Sequence, residues 1–190
     1  MRAQEAARFA PGGQGMHGLT LQAYFFPEAG WTAAALEQPL REAVKLLEQC
    51  GVRADAVVLH TLSGGDPAWR DLALPGSVRL VAELAPPRPA VFFVRETRRR
   101  LAFDAEAFGR GNTRSMPVMA GTVWVTRGTR DLPVAIAHEL AHVLMDSGEH
   151  VEEPGNLMRD ETAPGNTRLS PAQCARMREA GTAGSFLTPP

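Results

Sequence analysis

Apolar and polar positions along this chain predict a strand–helix–strand opening, several short apolar runs, and one almost uninterrupted apolar helix near residue 140. LTLQAYFF, Leu19 to Phe26, reads as a strand. Leu36, Leu40, Val44 and Leu47 then recur at helical spacing and predict a helix over Trp31–Gln49, with Thr32 as N-cap and Gly51 as its stop. Pro39 falls inside that pattern, so the helix is expected to kink there or to start later. DAVVLHTL (55–62) is a second strand. A Gly/Pro-punctuated stretch runs from Ser63 to Gly76, and Val78–Leu84 reads as a weaker strand or a short helix. Pro86, Pro87 and Pro89 mark a loop before AVFFVR (Ala90–Arg95), an apolar run suited to a buried strand. Segment 104–115 reads as loop, and SMPVMA (115–120) and TVWVT (122–126) as two short strands meeting at Gly121. A last helix is expected over Pro171–Ala180, capped by Ser170. Residues 1–18, rich in Gly and Ala, read as a flexible tail before a single domain over 19–190. This order of elements implies an α/β or α+β domain with a mixed sheet.

Composition changes that picture little. A chain of 190 residues, 44% hydrophobic and 22% charged, is an ordinary globular domain with room for a core around a site. A net charge of −1 gives no electrostatic case for a nucleic-acid partner or an anionic membrane surface. The one basic cluster, Arg98–Arg100, reads as a solvated turn. No segment approaches the roughly 20 apolar residues of a membrane span. The first residues lack the apolar run of a signal peptide, which leaves a cytoplasmic protein, export by another route, or a leader already removed. Cys50 and Cys174 form no CxxC pair. Two readings stay open for them: a disulfide closing a loop of about 120 residues in an oxidising compartment, or two buried thiols.

Chemistry concentrates in HELAHVLMDSGEH, residues 138–150. His138 and His142 are four apart, which on a helix puts both imidazoles on one face, one turn apart, able to bind a single ion. Glu139 lies beside the first ligand, where its carboxylate can serve a water instead of the metal. His150 follows a chain break expected at Gly148 and can supply a third ligand from a returning loop. Three neutral imidazoles leave a coordination position open, as a catalytic zinc site requires. A bare HExxH can arise by chance on a solvated face. Here Ile136, Leu140, Val143 and Leu144 make the helix strongly apolar, and buried imidazoles there need a partner. Asp131 or Thr129 can cap this helix, with Pro133 in its first turn.

At these residues the chain resembles the metzincin clan of zinc metallopeptidases, whose motif is HExxHxxGxxH followed by a methionine-containing turn. His138, Glu139 and His142 match its first half, and Asn156–Leu157–Met158 resembles the turn, with Met158 as its methionine. The resemblance implies an α+β, zincin-like domain: a mixed twisted sheet packed on a long helix and on the active-site helix. It spans roughly residues 19–180, with only 138–158 at motif grade. Two departures stand out. Met145 replaces the family glycine and the third histidine comes two residues late, with Gly148 in its slot, so the helix is expected to run on to Ser147–Gly148. Asp146 competes as third ligand, and His150 is favoured; a different zincin layout would use Glu161, or less plausibly Glu179. No tyrosine lies near the turn, since the only one is Tyr24; Arg159 is an alternative oxyanion partner or a surface charge. His17, the one histidine of the tail, is read as incidental.

The resemblance implies a zinc-dependent metalloendopeptidase with one catalytic Zn2+ on His138, His142 and His150, and Glu139 as the base that activates a water. Its substrate would be a peptide or protein lying along an edge strand, which by position in the family falls near 115–120, and Pro117 there is consistent with an edge. Residues 159–169 would set specificity. The enzyme is expected to act as a monomer, without nucleic acid or membrane. Its rivals are a zinc hydrolase of a non-peptide amide and a zincin-fold binding module that keeps the metal without cleaving. Intact Glu139 argues against the module.

Overall fold

Alternation and burial turn the first apolar run into β2 (His17–Phe25), followed by α1 (Ala33–Leu47) and β3 (Val52–Ser63). The structure, a computed structural model, describes residues 1–71, 74–95, 109–111, 114, 117–160 and 162–190. Arg98–Arg100, most of 104–115 and Glu161 lie outside the described residues. The remaining elements are β1 (Arg2–Phe9), α2 (Leu74–Leu84), β4 (Ala90–Val94), β5 (Gly109–Gly111), β6 (Thr122–Thr126), α3 (Leu132–Met145) and α4 (Pro171–Ala183). Together they make a mixed α+β fold whose six-stranded sheet has the order β1-β3-β2-β4-β6-β5. Strands β3, β2, β4 and β6 run parallel, and the outer strands β1 and β5 are antiparallel to their neighbours.

The central strands β4 and β6 are buried at every position, as continuous apolar runs in a parallel sheet should be. In-register pairing stacks the rings of His60, Tyr24, Phe92 and Trp124 across four strands, at centroid spacings of 4.7, 5.1 and 4.5 Å. Tyr24 is thereby committed to the sheet, and burial pushes its hydroxyl up to about 12.

Helix α1 begins where its cap predicts, with the Thr32 hydroxyl accepting from the Ala35 N–H at 3.2 Å. It passes through Pro39 without ending. An interior proline costs about 3 kcal/mol. Leu36, Leu40, Val44 and Leu47 are all buried on one stripe, and each such side chain contributes about 1.5–3 kcal/mol, so the stripe outweighs the proline. That stripe packs α1 on β3 and on α3.

Two sequence expectations are corrected here. Residues 2–9 are not part of a flexible tail: they form the edge strand β1, paired antiparallel with β3 from Arg2↔Ser63 to Phe9↔Val57. Its sequence is poor in β-branched residues, so pairing with the long β3 and seating of Phe9 under Arg41, 4.1 Å from the ring, decide its conformation. Residues 117–120 are a turn, not a strand. The Thr122 N–H and hydroxyl both donate to the Met119 carbonyl (3.0 and 2.6 Å), and Gly121, at φ 74°, supplies the left-handed residue. The strand beside β6 is β5, at 109–111.

Cys50 and Cys174 are bridged, joining the end of α1 to α4 across 124 residues of sequence. Beside the bridge, Gln49 donates to the Thr167 carbonyl and accepts from the Leu169 N–H, both at 2.8 Å. The Arg178 guanidinium donates to the Cys50 carbonyl at 2.9 Å. The segment after α3 is thus clamped against the first helix.

Candidate metal centre

Helix α3 is buried from Val134 to Met145, and His138, Glu139 and His142 are its only polar residues in that stretch. Asp131 is its N-cap but contributes no side-chain bond, and Pro133 sits in the first turn. The helix stops at Met145, earlier than expected. Asp146 takes the left-handed conformation (φ 48°) and its N–H bonds the carbonyls of His142 and Val143. Asp146 therefore supplies, one residue later, the helix-ending turn that a glycine makes most easily. Its carboxylate accepts from the Arg114 backbone N–H at 2.7 Å and pairs with the Arg114 guanidinium at 2.9 Å.

The chain then returns and places His150 against the helix. The Nε2 atoms of His138 and His142 lie 3.0 Å apart, those of His142 and His150 3.1 Å, and those of His138 and His150 3.3 Å. Among the described residues these three form a group able to hold a metal ion, and Asp146 is not part of it. The opposite nitrogens are committed elsewhere. The Nδ1–H of His138 donates to the Leu157 carbonyl (2.7 Å) and that of His142 to the Ser147 carbonyl (2.6 Å); His150 Nδ1 lies 3.4 Å from an Asp160 carboxylate oxygen.

A carbonyl oxygen only accepts, so the protons of His138 and His142 sit on Nδ1 and their Nε2 atoms carry lone pairs. Burial lowers both rings below their ordinary value, His142 to about 4 with the neighbouring His138 adding to the effect, which keeps them neutral at pH 7. Lone pairs facing one another at 3.0 Å repel unless a cation lies between them. Nitrogens about 2.0–2.1 Å from a tetrahedral ion are about 3.3–3.4 Å apart, close to what is found. The donor set fits a divalent metal.

Glu139 is buried, about 100° round the helix from His138. Met158 is fully buried in a turn, where its N–H donates to the Asn156 side-chain oxygen (2.9 Å) and its carbonyl accepts from Val151 (2.9 Å). Arg159 closes that turn through its backbone N–H on the Asn156 carbonyl. Glu179 lies on α4 and lines a cavity of about 330 Å³ with Arg114, Met145, Asp146 and Arg176; none of the three histidines lines it. His17 opens β2, and its backbone N–H bonds the Gly51 carbonyl. Sequence reasoning missed the Leu157 and Ser147 carbonyls and Asp160 as partners of the imidazoles. Backbone acceptors leave no mark in side-chain identity, so nothing in the pattern could have shown the first two.

No known protein-family model and no curated protein sequence matches this chain. A solved structure does. The fold is similar to that of metalloproteinase-II from Bacteroides fragilis, with a TM-score of 0.62 at 18% identity over 88% of this chain and 54% of that one. The chain thus spans about half the length of that metalloproteinase. At this identity the likeness is one of fold.

Proposed function

We propose that this protein is a zinc-dependent metalloendopeptidase of the metzincin type, with His138, His142 and His150 as ligands and Glu139 as general base. The observation that carries the reading is the convergence of three Nε2 atoms, two of them on rings whose Nδ1 protons are held by carbonyls. Neutral imidazoles suit zinc, and three ligands leave a position open for chemistry. When bound, the ion would supply a Lewis acid for a peptide carbonyl and make an attacking water more acidic. Glu139 would take the water's proton and pass it to the leaving amine. Met158 would pack its thioether under the histidines, as in the turn it resembles.

The likeness to a metalloproteinase fold supports this reading. So does the position of β5 at the end of the sheet order, where an extended peptide can add as a further strand. That role moves from 115–120 to 109–111. The Cys50–Cys174 bridge suits work in an oxidising compartment.

Hydrolysis of quenched peptides and unfolded proteins, with and without chelator, tests the proposal beside metal content. Wild type is expected to carry one zinc per chain and to cleave. Glu139→Gln is expected to keep the zinc and lose roughly 10²–10⁴-fold in rate. Wild-type turnover by that variant at equal metal loading would remove Glu139 as base. Metal bound by a wild type that cleaves nothing in the panel would favour the binding module or the non-peptide hydrolase.

A further inference from the structure

We infer that Asn156, gripped by Gln173 of α4, is a positioning residue for the metal centre, acting on His138 through the Leu157 carbonyl. The inference rests on the metal-binding reading above and names a device outside the ligand set.

Asn156 is 3% exposed and both ends of its carboxamide are engaged. The oxygen accepts from the Met158 N–H at 2.9 Å and from Gln173 Nε2 at 3.3 Å. The nitrogen donates to Gln173 Oε1 at 3.0 Å and to a Glu153 carboxylate oxygen at 3.1 Å. The contact with Gln173 runs in both directions, which two amides can do and an amide facing a carboxylate cannot. Gln173 is itself fixed. Its oxygen accepts from the Ser170 N–H (2.7 Å) and its own N–H donates to the Ser170 hydroxyl (3.2 Å), a capping box at the start of α4. The next residue is Cys174, bridged to the end of α1.

What Asn156 holds is the turn that meets the imidazoles. The Leu157 carbonyl takes the His138 Nδ1–H, and the Leu157 N–H donates to the Arg168 carbonyl at 2.6 Å. The Met158 carbonyl accepts from the Val151 N–H, so the residue after His150 is tied to the same turn. One carboxamide therefore controls the acceptor that sets the tautomer of one ligand and the backbone anchor beside another. Partners of metal-binding histidines act in this way when they fix ring orientation, and their loss typically weakens binding about 10–100-fold.

The test is a titration of the metal-stripped 190-residue chain with Co2+ and with Zn2+ against a competing chelator, with the visible d–d spectrum of the Co2+ form as a second readout. Asn156→Ala is expected to raise the metal Kd about 10–100-fold and to alter the d–d bands. Thr32→Ala, which removes the N-cap of the distant α1, is the stability control and is expected to keep wild-type metal affinity and spectrum. Wild-type affinity and bands in Asn156→Ala would overturn the inference. So would an equal loss in Thr32→Ala, which would make the effect one of general stability. If Asn156→Ala does not fold, Gln173→Met is read in its place: a raised Kd supports the inference and an unchanged one overturns it. Failure of the wild type to bind either ion would instead remove the metal-binding reading, a separate outcome.

Discussion

His142 refuses a proton in the folded chain that it accepts in the unfolded one, because burial lowers it from 6.5 to about 4. Between those two values the unfolded state of the metal-free protein binds more protons, so stability falls as pH drops through that window and levels off below it. His138 is shifted in the same direction, by burial first. Urea midpoints of chelator-treated wild type and His142→Gln across this window check the claim. The wild type should lose more stability on acidification than the variant; parallel curves would contradict the depressed value. At the same scale, Asp146 is assigned to the turn and to Arg114, not to the metal. Asp146→Gly should therefore keep one zinc per chain, since glycine adopts the left-handed conformation freely. The lost ion pair is half-exposed and worth about 0–1 kcal/mol. His150→Ala should lose metal at concentrations that saturate Asp146→Gly. The reverse pattern in metal analysis would reassign the third ligand.

Among the elements, the bridge between α1 and α4 makes the clearest stability claim. Closing a loop of 124 residues stabilises by about 5 kcal/mol in the chain-entropy model, and measured losses on removing native bridges run about 2–5 kcal/mol. Cys50→Ser with Cys174→Ser should lower the urea midpoint accordingly, and an unchanged midpoint would show that the Gln49 and Arg178 contacts suffice. Elements carried by their own apolar pattern or cap were legible in the sequence: β2, α1, β3, β4, β6 and the capped start of α4. Those decided by tertiary pairing were not. β1 has the composition of a tail and becomes a strand only beside β3. β5 is Gly-Arg-Gly, with no alternation to read. For the site, the four-residue spacing of His138 and His142 on an apolar helix was enough to pair them. The place of His150 depended on Asp146 turning left-handed, a conformation that local preference alone does not demand.

At the scale of the molecule, the sheet, α1 and α3 build the floor, and the segment after α3 is folded back onto it by the disulfide, by Gln49 and by the Asn156–Gln173 pair. That arrangement brings a loop histidine to two helical ones, and the proposed chemistry depends on it. The likeness to a metalloproteinase, of whose length this chain spans about half, is one of fold. The most direct measurement is a crystal structure of the zinc-loaded protein with anomalous scattering at the zinc edge. One peak per chain is predicted, about 2.0–2.1 Å from the Nε2 atoms of His138, His142 and His150, with a fourth position not filled by protein. No peak between those rings, or a peak elsewhere with the rings apart, would contradict the account.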